Sequence, residues 1–144
     1  MNDFIHSFEI RWSDLDPNFH LRHSVYYDFG AFSRITVLAA NGLTPEAMKQ
    51  HNIGPILFRE ECVFKKEIRF GDKVSINIKL DKLKKDFTRW TMVHEIFKNN
   101  NQLAAVITID GAWIDTQKRK LTSPPPFFNT AFELIPKTDT FQLL

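Results

Sequence analysis

The run from Val25 to Ala40 constrains this chain more than any other stretch. It has no proline and a single glycine, and its apolar residues Val25, Tyr26, Tyr27, Phe29, Phe32, Ile35, Val37 and Leu38 fall on every side of a helical wheel. A helix that is apolar nearly all round has to be buried. Ser24 is the expected N-cap, its hydroxyl oxygen accepting from a free first-turn N–H. Asn41-Gly42 is the expected stop, because glycine adopts φ > 0 at the C′ position without penalty. Thr44-Pro45-Glu46 then predicts a short second helix, with Thr as N-cap and Pro in the first turn.

What covers such a helix is legible in the flanking segments. Phe4 to Trp12 alternates, with Phe8, Ile10 and Trp12 on one face, the pattern of a half-buried strand. Ile56 to Phe70 reads as one long strand. Val74, Ile76, Ile78 and Leu80 alternate with polar residues, and strands are predicted over Arg89–Phe97 and Leu103–Ile114. Turn signals at Phe70-Gly71-Asp72, Lys84-Lys85-Asp86 and Asn99–Gln102 are short enough to make neighbouring strands antiparallel. The predicted class is α+β: a curved antiparallel sheet of about five strands wrapped around one long buried helix, the hot-dog arrangement. Residues 1–144 read as one domain, with a core over about 4–115. Pro124-Pro125-Pro126 stops the sheet, and residues 124–144 read as an extension, a short helix and a loose tail. Open sheet edges and an apolar flank predict a homodimer or a dimer of dimers.

Composition removes several function classes. The net charge is +2, with Asp and Glu interleaved among the Lys clusters at 65–66, 82–85 and 118–120, which argues against a nucleic-acid partner. A lone cysteine, Cys62, rules out an internal disulfide framework and a zinc ribbon. No window has the ~18 apolar residues of a membrane span, and Met1-Asn2-Asp3-Phe4 has no signal-peptide character. A cytoplasmic protein without a membrane partner is expected. The 14 phenylalanines suit a small domain that lines an apolar channel as well as a core.

Chemistry concentrates in the loop before the helix, Arg11-Trp12-Ser13-Asp14-Leu15-Asp16-Pro17-Asn18-Phe19-His20-Leu21-Arg22-His23. Carboxylates and imidazoles there precede a helix N-terminus, where unpaired N–H groups can hold an anion or a developing oxyanion. Asp14, Asp16, His20 and His23 could also be read as metal ligands, although their spacing fits no compact metal motif. There is no G-x-S-x-G, and Cys62 has no activating neighbour in sequence.

The stretch resembles the signature of the 4-hydroxybenzoyl-CoA thioesterase and YbgC-like group of hot-dog proteins. Trp12, Asp14, Asp16, His20, His23, Tyr26, Tyr27 and Arg34 follow the order of that signature. Phe64 to Val74, with its Gly71-Asp72, resembles the group's strand–turn–strand piece. The resemblance covers about residues 4–115. It implies acyl-CoA or other acyl-thioester hydrolysis, with no metal and no cofactor beyond the coenzyme A of the substrate. Asp16 takes the position of the catalytic carboxylate, as nucleophile or as general base toward water; Asp14 is the lesser candidate. His23 is the second catalytic candidate. His20, Ser24, Val25 and Tyr26 are expected to bind substrate, with an oxyanion donor among the N–H groups of His23, Ser24 and Val25. Arg34 is expected in a structural ion pair. Lys65, Lys66 and Arg69 are conceivable phosphate partners. One departure stands out: Phe19 replaces the group's usual glycine. Phenylalanine does not adopt φ > 0 cheaply, so the loop is expected to bend differently or to narrow the pocket. That departure motivates a rival reading, a hot-dog domain that binds an acyl chain or acyl-carrier partner without catalysis. A hydratase of the same fold has a different local signature.

Overall fold

The computed structural model describes residues 4–144, so the first three residues of the expected 1–144 unit lie outside the described residues. Helix α1 spans His23–Ala40. It starts two residues ahead of the apolar run, with Arg22 at the N-cap and no side-chain cap. Ser24 therefore lies inside the first turn, where its Oγ accepts from Arg22 Nε at 3.1 Å. The stop is where the sequence places it, with Asn41 as C-cap and Gly42 at φ +92°. Helix α2 (Pro45–Gln50) is capped by Thr44, whose Oγ1 accepts from Ala47 N at 3.1 Å.

The sheet holds β1 (Ile5–Phe8), β2 (Ile53–Phe64), β3 (Val74–Asn77), β4 (Lys79–Leu83), β5 (Arg89–Lys98), β6 (Gln102–Asp115), β7 (Lys120–Leu121) and β8 (Lys137–Leu143). Strands β3 and β4 form one line broken at Ile78, whose N–H donates to Phe4 O at 3.0 Å. Across the sheet the order is β2, β6, β5, then the β3–β4 line, with β1 beside β3 and β8 beside β4. Every pair is antiparallel except β4–β8. Strand β2 pairs only with β6 among the described residues and so leaves a free edge.

Three expectations are corrected. The first strand ends at Phe8 rather than running on to Trp12. Arg11 wraps Asp14 with its backbone N (3.0 Å), Nε (3.1 Å) and Nη2 (2.8 Å), which closes a 3-10 turn over Trp12–Asp14 and expels Trp12 to the surface. The long strand ends at Phe64 because the N–H groups of Lys65 and Lys66 both turn to Ala104 O, at 2.8 and 3.0 Å. The tail is ordered: helix α3 (Pro126–Leu134) leads into β8. Asp81 Oδ1 accepts from the Thr138 and Thr140 hydroxyls at 2.6 and 2.5 Å, and Leu144 N donates to Leu83 O at 2.8 Å.

The core lies between α1 and the concave face of the sheet. Val25, Phe29, Val37 and Leu38 join Ile76, Ile78, Met92, Ile96, Ile107 and Ile109 in one cluster. Helix α3 packs Phe128 and Phe132 against Trp113 of β6 at ring distances of 5.3 and 5.6 Å. Each such buried side chain contributes roughly 1.5–3 kcal/mol through its apolar area. Helix α1 is not covered on all sides. Asp28, Ala31 and Phe32 are exposed, so one flank of the helix is open.

Candidate active site

The loop from Asp14 to Arg22 is a small hairpin pinned at both ends. Leu15 and Leu21 face each other in an antiparallel bridge, and His20 bridges Arg69 beyond β2. Leu21 N donates to Ile68 O and Arg22 N to Asp14 O, both at 2.7 Å. Buried Asp14 is the pin at the other end. Its Arg11 hydrogen bonds, outweighing the cost of burial, hold its pKa below the ordinary carboxylate value. With both oxygens engaged by Arg11, Asp14 is a structural group.

Asp16 opens the hairpin tip. Its N–H donates to His20 O at 2.8 Å, and its own C=O accepts from Phe19 N at 2.9 Å. Its Oδ1 accepts from Asn18 N at 2.8 Å and His20 N at 3.1 Å. Oδ2 meets no donor among the described residues. The turn that sets this geometry needs a left-handed residue, and Phe19 supplies it at φ +64°. The expectation that phenylalanine would redirect the loop is thus corrected: the chain takes the glycine-like bend and bears the strain. The ring points away from the cleft. Phe19 is 62% exposed beside Trp12, which is 70% exposed, with ring centroids 6.2 Å apart.

A cleft of about 360 Å³ brings together Asp16, His20, His23 and Tyr26, walled by Leu21, Phe64, Lys65, Lys66 and Glu67. His23 is the first residue of α1. The N–H groups of His23 and Ser24 have no acceptor among the described residues, whereas Val25 N donates to Arg22 O at 3.0 Å and its side chain is buried. Of the three N–H groups considered as oxyanion donors, two are therefore free, at the positive end of an 18-residue helix. The Tyr26 ring meets Phe64 edge-on at 4.9 Å. Burial, with smaller contributions from Cys62 and Asp16, pushes its phenol up to about 12. Tyr26 is therefore a hydroxyl donor at neutral pH. His20 Nε2 lies 2.8 Å from Glu67 Oε2. Glu67, also held by Arg69, sits below its ordinary pKa, with the Arg69 hydrogen bond as the main cause.

With that geometry in place, the comparisons with known proteins decide the family. Residues 10–132 match the thioesterase-like superfamily. The chain belongs to that superfamily. Among solved structures it is similar to a Staphylococcus aureus protein in complex with CoA, at 17% identity and a TM-score of 0.86 over 96% of this chain and 89% of that one. It is also similar to a DHNA-CoA thioesterase from S. aureus, at 20% identity and a TM-score of 0.81 over 90% and 88%. A third similar structure is a 1,4-dihydroxy-2-naphthoyl-CoA thioesterase from Synechocystis, at 16% identity and 0.81 over 91% and 96%. No curated protein matches the chain in sequence. These likenesses establish the hot-dog fold expected from the alternation pattern.

Of the residues singled out in sequence, Asp16, His20, His23 and Tyr26 line one cleft, as do Lys65 and Lys66. Ser24 is exposed next to it, while Val25 belongs to the core. Arg69 does not line the cleft and is engaged with Glu67. Sequence reasoning missed Glu67 and Phe64 as cleft walls. The only signal was their place in the strand–turn–strand segment, which does not show that β2 ends beside the hairpin. No helix among the described residues is long and apolar enough to cross a membrane.

Proposed function

We propose that this thioester hydrolase cleaves acyl-CoA to free acid and thiol at the cleft between the hairpin and the α1 N-terminus. The observation that carries the reading is an unengaged carboxylate oxygen, Asp16 Oδ2, in a cleft that the α1 N-terminus borders with two N–H groups unpaired among the described residues, those of His23 and Ser24. The thioester carbonyl oxygen is held by the N–H groups of His23 and Ser24, which stabilise the negative charge that develops on it. Asp16 then either attacks the carbonyl carbon, forming a mixed anhydride that water opens, or takes a proton from an attacking water. The tether of Oδ1 to Asn18 N and His20 N holds the second oxygen in position without a side-chain partner. The His23 imidazole protonates the departing thiolate. The Tyr26 hydroxyl and His20, held by Glu67, orient the substrate. The residues require neither a metal nor a cofactor other than the substrate's own coenzyme A, and Lys65 and Lys66 offer charge to its phosphates. The likeness to a CoA complex and to two CoA thioesterases supports CoA as the carrier.

The working unit in this reading is a homodimer, or a dimer of dimers, in the cytoplasm. It pairs the free β2 edge, which shows Leu57, Phe58, Val63 and Phe64 to solvent, and so hides both the unpaired strand and this apolar surface.

Thiol release from a panel of acyl-CoAs tests the proposal. Asp16→Asn keeps the Oδ1 acceptor and should fold normally while losing at least about 100-fold in kcat, the scale of a general base. Asp16→Asn turnover equal to wild type removes Asp16 from the mechanism. No thiol release from a folded wild-type protein would favour the rival reading, acyl binding without hydrolysis.

A further inference from the structure

The flank of α1 that the sheet leaves open contains a second, distinct cavity. It has a volume of about 260 Å³ and lies further along the same helix from the Asp16 cleft. Ala31, Ile35, Met48, Leu57, Met92 and Phe132 give it apolar walls. Its one charged wall residue is Arg34. The Arg34 side chain is only 12% exposed, and the expected ion pair is formed with Glu60 at 3.8 Å, which balances the charge without using its N–H donors. His94 Nδ1 lies 3.0 Å from Asn77 O, a carbonyl that can only accept, so Nδ1 carries the proton. His94 Nε2 must then accept from Arg34 Nη1 at 3.0 Å, and the histidine is neutral. Glu60 Oε2 stands 3.8 Å from Nη2, beyond hydrogen-bond reach. A guanidinium has five N–H donors, and among the described residues only the one toward His94 meets an acceptor at hydrogen-bond distance.

The chain makes room for this cation. A Cβ on Gly30 would sit 3.2 Å from Arg34 Nη1 and 3.6 Å from His94 Cδ2. A buried cation is costly unless it is paired and its donors are used. Burial accordingly pulls the Arg34 pKa below its ordinary value. An apolar cavity with one under-used guanidinium in its wall is built for an apolar group that ends in an acceptor.

We propose that this cavity receives the far end of the acyl group, and that the preferred acyl chains end in a hydroxyl or carboxylate that Arg34 binds. The inference rests on the thioesterase reading above. The helix sets the length. From Ser24, whose N–H holds the carbonyl oxygen, it is about 9 Å along the helix axis to Gly30, beside which the Arg34 guanidinium sits, and about 15 Å to the Arg34 backbone, a mean of about 12 Å. An extended chain gains about 1.2 Å per bond, so the acceptor belongs about ten bonds from the thioester. The volume suits a chain end, since a cavity of about 150 Å³ already takes a benzene.

The test compares decanoyl-CoA with 10-hydroxydecanoyl-CoA and the mono-CoA thioester of decanedioic acid. Wild type should favour the two acceptor-ended substrates in kcat/KM by about tenfold or more, the size of one charge-assisted hydrogen bond, chiefly through KM. Arg34→Met should abolish the preference. Ala31→Phe should abolish it too, because it fills the cavity from an exposed wall position on α1, away from the β2 edge. Thiol release without preference, or a preference kept in Ala31→Phe, overturns the inference while leaving the thioesterase reading intact. A second measurement separates the two failures. Titration into the intact protein of non-hydrolysable CoA analogues, in which a methylene separates the carbonyl from the sulfur, followed on the Arg34 ¹⁵Nε NMR signal, should show a shift with the 10-hydroxydecanoyl analogue and none with the decanoyl analogue. That shift without any thiol release would keep the site and sink the catalysis; equal shifts would sink the site.

Discussion

Phe19 offers a direct measure of strain at the edge of the candidate active site. Its φ of +64° lies in the left-handed region, which costs a residue with a Cβ about 1–2 kcal/mol. Replacing it by glycine removes that cost but adds about 0.5–1 kcal/mol of chain entropy in the unfolded state. Replacing it by alanine keeps the strain. Both variants lose the ring contact with Trp12, so that loss cancels in their comparison. Phe19→Gly should therefore be more stable than Phe19→Ala by about 0.5–1 kcal/mol, the reverse of the ordinary ranking of these two residues. Urea unfolding at 25 °C, followed by tryptophan fluorescence, would read this as a higher midpoint at unchanged slope. Scanning calorimetry should show a gap of roughly 1–4 °C for a chain of this length. Alanine equal to or more stable than glycine would mean that residue 19 is not held left-handed in solution and that the turn does not fix Asp16 in this position. Because the ring points out of the cleft, thiol release should change less than about threefold in either variant, well under one hydrogen bond.

Two further outcomes test the core beneath the site. His94 is fully buried and held neutral, with burial as the main cause and the Arg34 charge second, and its pKa falls to about 3. Its unfolded pKa is about 6.5, so the unfolded chain binds the extra proton first and stability drops as pH falls below 6.5. The loss from this group between pH 7 and pH 5 should be about 2 kcal/mol, measured by denaturant titration at each pH, and His94→Gln should flatten that part of the profile; an unchanged slope would assign it to other groups. Gly111 lies under the Trp90 ring, where an added Cβ would come within 2.2 Å of Cζ3 and 2.9 Å of Ile56 O. Gly111→Ala should destabilise by about 1–3 kcal/mol through overpacking, and an unfolding midpoint matching wild type would show that the ring can move aside.

The parts of this molecule that were legible in sequence are those where side-chain period and burial agree. The alternation at Val74, Ile76, Ile78 and Leu80 survives the break at Ile78 because all four side chains still point into the core. The apolar run of α1 predicts a helix for the same reason. Its exposed flank at Asp28, Ala31 and Phe32 was not legible, since a helical wheel reports what a face is made of and not what covers it. Strand β8 escaped because its order comes from partners across the fold, the Asp81 carboxylate and the Leu83 carbonyl, and not from a hydrophobic period of its own.

The site shows the same division. Asp16, His20, His23 and Tyr26 are close in sequence and so were found together; Phe64 and Glu67 reach the cleft only because Leu21 pairs with Ile68. Phe19 departs from the expectation for a physical reason. A conformational preference belongs to the residue and not to the position: the hairpin is pinned by Asp14 at one end and by Ile68 and Arg69 at the other, and that pinning is worth more than the ~1–2 kcal/mol of left-handed strain. A local rule holds only while the surrounding contacts supply less energy than the rule costs to break. Around Asp16 they supply more, so the carboxylate keeps its geometry whatever residue turns the loop behind it.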